Sequence, residues 1–321
     1  MLFGSEKAKD FKHIEFWLNT PKPVHLEDFE NKIIFLDFFA YSCINCRRGI
    51  PSVVKLYKKY HPQGLVVIGV HVPEFEFEKV PENLKMALAE EHIPYPVAMD
   101  NDHATWYLYG GEYWPRQVVI DQKGNVLLNV TGEGHLEEIE KTIRKALENI
   151  GADLATIPEE KEGKSSFHLR QTPEIYAGFF RNENIGSTYH EAEKCYQDPG
   201  EHEEGVLYPQ GAWKQNYEYL WHYAFTKEYE YIALSFHGQE TNIVAMPYNT
   251  DEKAKVYLEI DKKPIPPELA GKNVQYEGKQ SYVLIDRPDL YRIFKTKKRD
   301  SYELKLITNS KEFCLLSYTF G

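Results

Sequence analysis

Cysteine is scarce in this chain: there are four in 321 residues. That is too few for the disulfide scaffold of a small secreted domain. Basic charge is also in short supply, with 38 Lys and Arg against 49 Asp and Glu, a net charge of −11. No basic excess is available to neutralise phosphates, so nucleic acid is not expected as a partner. Long apolar runs are missing too. None approaches the roughly 20 residues that a membrane span needs. The N-terminus, MLFGSEKAKDFKH, has no apolar signal core. As it stands the chain therefore reads as cytoplasmic, with no membrane span. It shows no internal repeat or low-complexity tract. The 42% hydrophobic and 27% charged residues describe a globular protein, and the length suits two domains of ordinary size.

The most informative stretch is Ile33 to Pro51, IIFLDFFAYSCINCRRGIP. Ile33–Phe39 is an apolar, β-branched and aromatic run, which reads as a fully buried strand. After the short turn Ala40-Tyr41-Ser42 comes Cys43-Ile44-Asn45-Cys46, opening an amphipathic run that reaches about Tyr60. Two cysteines at this spacing, between a buried strand and a helix, form a redox arrangement. Residues three apart share a helix face, at a Cα separation of roughly 5–6 Å that a disulfide accepts. Cys43 falls where free backbone N–H groups and the helix dipole stabilise a thiolate, the attacking species in exchange. Cys46, one turn further in, is the natural resolving thiol. Arg47 and Arg48 add positive charge nearby.

A CxxC pair can also be half of a zinc site. Cys195 and Cys314 are isolated, however, and no second CxxC exists, so no metal is expected. Both of those cysteines read as small buried hydrophobes.

Leu65–His71 is a second buried strand, which completes a βαβ unit with a parallel sheet. Pro81–His92 is a helix with Pro81 near its start, and Asn101–Tyr109 a further short one. Val118–Asp121 and Val126–Val130 flank a turn and predict an antiparallel hairpin at a sheet edge. His135–Ile150 is a final amphipathic helix with Gly151 beyond its end. Residues 1–23 read as a lead-in. Residues 151–171 are polar and aperiodic, a linker between a domain at 1–150 and another at 172–321.

From Thr172 the pattern becomes one of short alternating runs: Ala212–Tyr223, Tyr229–Phe236, Asn242–Tyr248, Lys255–Ile260, Ser281–Ile285, Leu290–Phe294, Ser301–Ile307 and Phe313–Phe320. Turn residues such as His237-Gly238 separate them. Short strands without long helices predict an all-β sandwich, jelly-roll-like. Trp213, Gln215, Tyr217, Tyr219, Trp221 and Tyr223 fall on one face of the alternating strand Ala212–Tyr223. Such a face is either a platform for sugar rings or, more commonly, the core side of a sandwich.

The first domain resembles the thioredoxin superfamily, and within it the TlpA/DipZ-like branch. The resemblance rests on the Cys43–Cys46 pair, Asp37 six residues before it, Pro51 eight after Cys43, and Pro115 ahead of the edge hairpin. The stretches YSCINC, GVHVPEFEFEKVPEN and YWPRQVVID carry it further. The segment TPEIYAG at Thr172–Gly178 resembles the start of the carbohydrate-binding-module-like sandwich of DipZ proteins.

The resemblance implies an α/β thioredoxin fold and a thiol–disulfide oxidoreductase, with a redox-active Cys43–Cys46 disulfide and no other cofactor. It implies that Asp37 is a buried carboxylate relaying protons to Cys46; Glu74 could share that role or be solvated surface. It implies that Pro115 is a cis-proline facing the cysteines, leaving the preceding backbone free for a substrate chain. Ser42, Ile44, Asn45 and Trp114 would support or line the groove, with a core aromatic as the alternative reading of Trp114. Ser42 stands where thioredoxins usually carry Trp.

Protein disulfides are the expected substrates, with an unidentified electron donor, a glycan as candidate ligand of the sandwich, and an extracytoplasmic setting if the chain is a mature fragment. Two other functions are weighed against this one: a glycan- or partner-binding protein that uses the first domain as scaffold, and a thiol peroxidase.

Overall fold

The computed structural model describes residues 6–159, 170–182, 193–224 and 228–321. The chain divides into two compact units, Met1–Phe167 and His168–Gly321. About half of the expected linker, residues 160–169, lies outside the described residues. No helix among the described residues is long and apolar enough to cross a membrane.

The first unit contains β1 (Phe16–Leu18), β2 (Ile33–Phe39), α1 (Ile44–Tyr60), β3 (Leu65–His71), α2 (Pro81–Glu90), β4 (Val97–Met99), α3 (Ala104–Leu108), β5 (Arg116–Ile120), β6 (Val126–Thr131) and α4 (Leu136–Asn149). Its sheet has the order β1-β4-β3-β2-β5-β6. β2, β3 and β4 run parallel, while β1, β5 and β6 are antiparallel to their neighbours. β2 is central and every one of its residues is buried. That is why it reads as a continuous apolar run rather than an alternating one. Ile34, Leu36 and Phe38 pack with Ile68, Val70, Trp106, Val118 and Ile120 on one face. Asp37 therefore points to the other face, with Ile33, Phe35 and Phe39.

α1 runs through Pro51. Pro81 opens α2, where its missing N–H costs nothing. Gly151 follows α4 at φ +92°, and its N–H closes on Glu148 O at 2.9 Å. Two strands were not anticipated. β1 pairs with β4, so part of the lead-in is an edge strand. Each has three residues, too few to show periodicity.

The second unit is built of β7 (Ile175–Tyr176), β8 (Glu193–Tyr196), β9 (Leu207–Gln215), β10 (Leu220–His222), β11 (Glu230–Pro247), β12 (Ala254–Ile260), β13 (Lys263–Pro264), β14 (Val274–Glu277), β15 (Gln280–Ile285), β16 (Asp289–Thr308) and β17 (Phe313–Phe320). The all-β class is as expected, and several strand boundaries differ.

Ala212–Tyr223 is not one strand. β9 and β10 pair antiparallel, Leu220 opposite Gln215, with a turn closed by Asn216 N–H on Tyr219 O at 2.7 Å. The expected aromatic face is therefore absent. Trp213 lies in the core with no exposure. Trp221 pairs with Lys214, which places it on the opposite face.

The runs at 229–236 and 242–248 form one strand, β11. The expected turn at His237-Gly238 is a register shift between Gly238 and Glu240. The extra residues lie on β16, which runs from Asp300 to Lys295 while β11 runs from Gly238 to Glu240; such an irregularity bends a strand rather than ending it. β16 likewise joins two expected strands. β11 pairs with β9 before the bend and with β17 after it, the behaviour of a strand that turns a corner between sheet layers. Trp213, Phe236, Phe294 and Phe313 share the resulting core.

Candidate active site

The site grows from the end of β2. Cys43 caps α1 with extended backbone, φ −75° and ψ 118°. Its Sγ accepts the N–H of Cys46 at 3.3 Å, one of the donors that a helix start leaves without an intrahelical partner. Cys43 is half-buried, Cys46 is only 2% exposed, and both are free thiols. The arrangement is asymmetric: one sulfur can meet a partner, and the other waits one turn behind it. Burial pushes the Cys46 thiol well up, and the adjoining Cys43 and the charge of Asp37 push it further.

Asp37 is 2% exposed. Burial pushes its carboxyl up to about 6, against the opposing effect of a hydrogen bond from Gln117. Gln117 Nε2 donates to Asp37 Oδ1 at 3.0 Å from the neighbouring strand β5. A carboxyl poised near 6 can take and return protons at neutral pH.

β5 also delivers Pro115. Arg116 pairs with Phe38 at the end of β2, so Pro115 sits at the sheet end from which Cys43 departs. The Trp114–Pro115 peptide is cis. Trp114 is half-buried and stacks on Trp106, 5.1 Å between ring centroids at 12°. Gly111 lies directly against Trp106: a Cβ there would stand 2.0 Å from the indole.

The remaining expected residues are distributed unevenly. Ser42 and Ile44 are buried, while Asn45 is half-buried and accepts from Arg48 at 3.3 Å. Glu74 is half-buried and its backbone N–H donates to Glu78 Oε2 at 2.6 Å. The fully buried carboxylate of this loop is Glu78, which the sequence reading missed. Glu78 also accepts the Phe75 N–H at 3.1 Å and the Ser42 N–H at 2.9 Å. His71 Nε2, also fully buried, stands 3.7 Å from it. Burial alone would raise the Glu78 carboxyl; His71 and the backbone donors outweigh burial and hold it below the ordinary value. Arg47 was read only as nearby charge. It is buried, and its Nε donates to Tyr41 O at 2.5 Å. A Glu three residues into a short helical turn, reaching back to its cap, is the signal that could have drawn attention to Glu78. Among the described residues, no three His, Cys, Asp or Glu side chains are grouped as metal ligands.

Residues 5–128 match the AhpC/TSA family, and residues 172–321 match the thioredoxin like C-terminal domain. Each match covers less than half of the chain, and neither match includes residues 129–171. It is similar to protein DipZ of Mycobacterium bovis, 38% identical over 217 residues, which cover 66% of this chain and 31% of the relative. The aligned region is thus about a third of that relative's length. It is also similar to the thiol-disulfide oxidoreductase ResA of Bacillus thuringiensis, 28% identical over 124 residues, 39% of this chain and 69% of the relative. Among solved structures, a thiol:disulfide interchange protein of Chlorobium tepidum is 26% identical, with a TM-score of 0.39 over 45% of this chain and 98% of the other.

Proposed function

We propose that the first unit is a thiol–disulfide oxidoreductase that reduces protein disulfides through Cys43 and Cys46. The observation that carries this is the half-buried Cys43 held at a helix start, with the buried Cys46 one turn behind it and the charge of the buried Asp37 acting on Cys46. The Cys43 thiolate attacks one sulfur of a substrate disulfide. A Cys43–substrate bond forms, the substrate S–S bond breaks, and the second substrate sulfur leaves as a thiolate. Cys46 then passes its proton to Asp37 and attacks the Cys43 sulfur. The Cys43–Cys46 bond closes and the first substrate sulfur leaves. Two electrons reach the substrate, and a thiol donor must return two to reopen the pair. Pro115 and Trp114, at the same sheet end, would flank the entering chain. The oxidoreductase named among the relatives supports this reading.

Serine at position 46 removes the resolving sulfur and keeps the bulk. Cys46→Ser should hold substrates as adducts that survive a non-reducing gel and vanish with reductant. Cys43→Ser should hold none. Adducts on Cys43→Ser but not on Cys46→Ser would reverse the two roles. If neither variant forms one and insulin is not reduced, the reading fails. Peroxide consumption dependent on Cys43 would then favour a thiol peroxidase, the reading that the AhpC/TSA match keeps open.

A separate role for the second unit rests on Trp221, stacked on the exposed Tyr248 at 3.9 Å and 6°. Such a surface pair suits the face of a sugar ring, and quenching of its fluorescence by oligosaccharides would test it.

A further inference from the structure

We propose that Arg47 and Glu78 are positioning residues for the exchange reaction, gripping the one peptide unit between Tyr41 and Ser42 from both ends and so fixing where Cys43 presents its sulfur. The inference rests on the thiol-exchange reading above and asks what holds the nucleophile in place.

A peptide unit directs its carbonyl and its N–H in opposite directions. Here each end meets a buried, oppositely charged side chain. Arg47 Nε donates to the carbonyl of Tyr41 at 2.5 Å, and Ser42 N–H donates to Glu78 Oε1 at 2.9 Å. Arg47 is 3% exposed and Glu78 not at all. Hydrogen bonds to charged groups are stronger than those between neutral partners. Any rotation of this unit breaks both. Cys43 is the next residue, so such a rotation would swing its Cα and the approach of its sulfur.

Each grip is itself anchored. Arg47 follows Cys46 on α1, its own N–H bonds Cys43 O at 3.0 Å, and it lies 3.9 Å from Glu91. The turn that carries the attacking thiol is thereby tied to the helix that carries the resolving one. Glu78 is held by the N–H groups of Glu74 and Phe75. The His71 ring beside it stacks on Tyr41, 5.5 Å between centroids at 24°. Three separate segments thus converge on one peptide: the helix, the end of β3, and the loop after it. Support of that density exceeds what a turn needs merely to exist. It suits a reaction that requires the attacking sulfur to lie in line with the bond it breaks, because a misplacement of about 1 Å can cost on the order of 10²-fold in rate.

The test compares two reactions of the same sulfur in the full chain. Insulin reduction needs Cys43 aligned with a bond held in a groove. Alkylation by iodoacetamide, followed at Cys43 by peptide mass spectrometry, uses a small reagent free to choose its approach. Glu78→Gln keeps the shape and removes the charge; Arg47→Met keeps the length and removes the donor. Each should slow insulin reduction on the order of 10-fold to 100-fold, while Cys43 alkylation changes less than about threefold. Arg47→Lys, which keeps a cationic donor, should recover part of the loss. Equal losses in both reactions would overturn the proposal, since the effect would then lie in the ionisation or exposure of the thiol. Wild-type insulin reduction in both variants would overturn it too.

A measurement on the unaltered protein covers the case in which a variant fails to fold. The Ser42 amide, bonded to a buried carboxylate, should exchange its hydrogen at least 100-fold more slowly than an open turn. Fast exchange would refute the clamp. An unaltered protein that cannot reduce insulin while its Ser42 amide is protected would sink the functional reading and leave the clamp as a structural feature without a positioning role, which also overturns this proposal.

Discussion

Replacing Asp37 by Asn gives the sharpest test of how the buried carboxyl is poised. Its carboxyl is pushed from 3.8 to about 6 in the folded chain, chiefly by burial. A group that holds its proton longer when folded favours the native state at low pH. The contribution is fully present below 3.8, declines as pH rises from 3.8 to about 6, and is gone above. At about 1.4 kcal/mol per pKa unit, the decline amounts to about 3 kcal/mol. Asparagine does not titrate, and its carbonyl can still accept from Gln117. Its new N–H group adds an offset, but one independent of pH.

The stability of Asp37→Asn relative to wild type should therefore climb by about 3 kcal/mol between pH 3 and pH 7. In a unit of this size that is a relative gain of about 6–12 °C in melting temperature. Scanning calorimetry in a phosphine reductant, at half-unit pH steps, follows the transition that responds to the substitution. In the proposed cycle the same variant lacks the proton acceptor, so Cys46 should resolve mixed disulfides on the order of 10²-fold more slowly near neutral pH. A stability gap that stays constant from pH 3 to pH 7 would refute the reasoning, because Asp37 would then not be the group that burial perturbs.

Three further outcomes follow from the geometry. Cys43 is half-buried and Cys195 exposed, whereas Cys46 and Cys314 are buried and burial raises both thiols; iodoacetamide at pH 8 should therefore modify the first two before the others, and early labelling of Cys46 on peptide mapping would contradict the shielding described. Gly111→Ala would set a Cβ 2.0 Å from the Trp106 indole, so it should cost roughly 1–3 kcal/mol in urea unfolding, and a loss below about 0.5 kcal/mol would show that the Trp106–Trp114 stack shifts freely. A chain ending at Glu159 keeps the buried Leu154 and the Arg144 bond to Ile157 O at 2.9 Å; it should fold and reduce insulin within about twofold of the full chain if the units are independent, and an insoluble or inactive product would make the second unit part of the catalytic machinery.

What could be read in advance follows from how local each signal is. β2 and β3 are continuous apolar runs, so their burial and their ends are plain in the sequence. The cysteine pair is plain because its chemistry demands one spacing at one kind of junction. The β9–β10 hairpin was hidden because its turn, Asn216 to Tyr219, preserves the even spacing of the aromatic residues, so the alternation runs on through a reversal of direction. β11 was split because glycine usually marks a turn, and nothing local distinguishes a turn from a bulge that neighbouring strands hold open. Glu78 was hidden for a different reason. Glu74, Glu76 and Glu78 alternate with Phe75 and Phe77, and the alternation does not separate one Glu from another; only the capping position of Glu78 in the turn does. Only Glu78 meets Ser42, from 36 residues away in the chain. Its burial is a property of the fold rather than of its neighbours in sequence.

The two buried carboxylates near the cysteines are perturbed in opposite directions, and the difference sorts their tasks. Asp37 has one neutral amide partner, Gln117, so burial prevails and its carboxyl rises to about 6. It can change charge as a thiol beside it gains or loses a proton. Glu78 has three backbone N–H donors and a histidine, which prevail over burial and lower its carboxyl. It keeps its charge through the same cycle, so the Ser42 N–H keeps its acceptor. The proposed exchange, which moves a proton and holds a nucleophile still, would use one carboxylate of each kind. Exchanging their environments would fail twice: a carboxyl that protonates near neutrality would release Ser42, and one held permanently ionised could not accept the proton of Cys46.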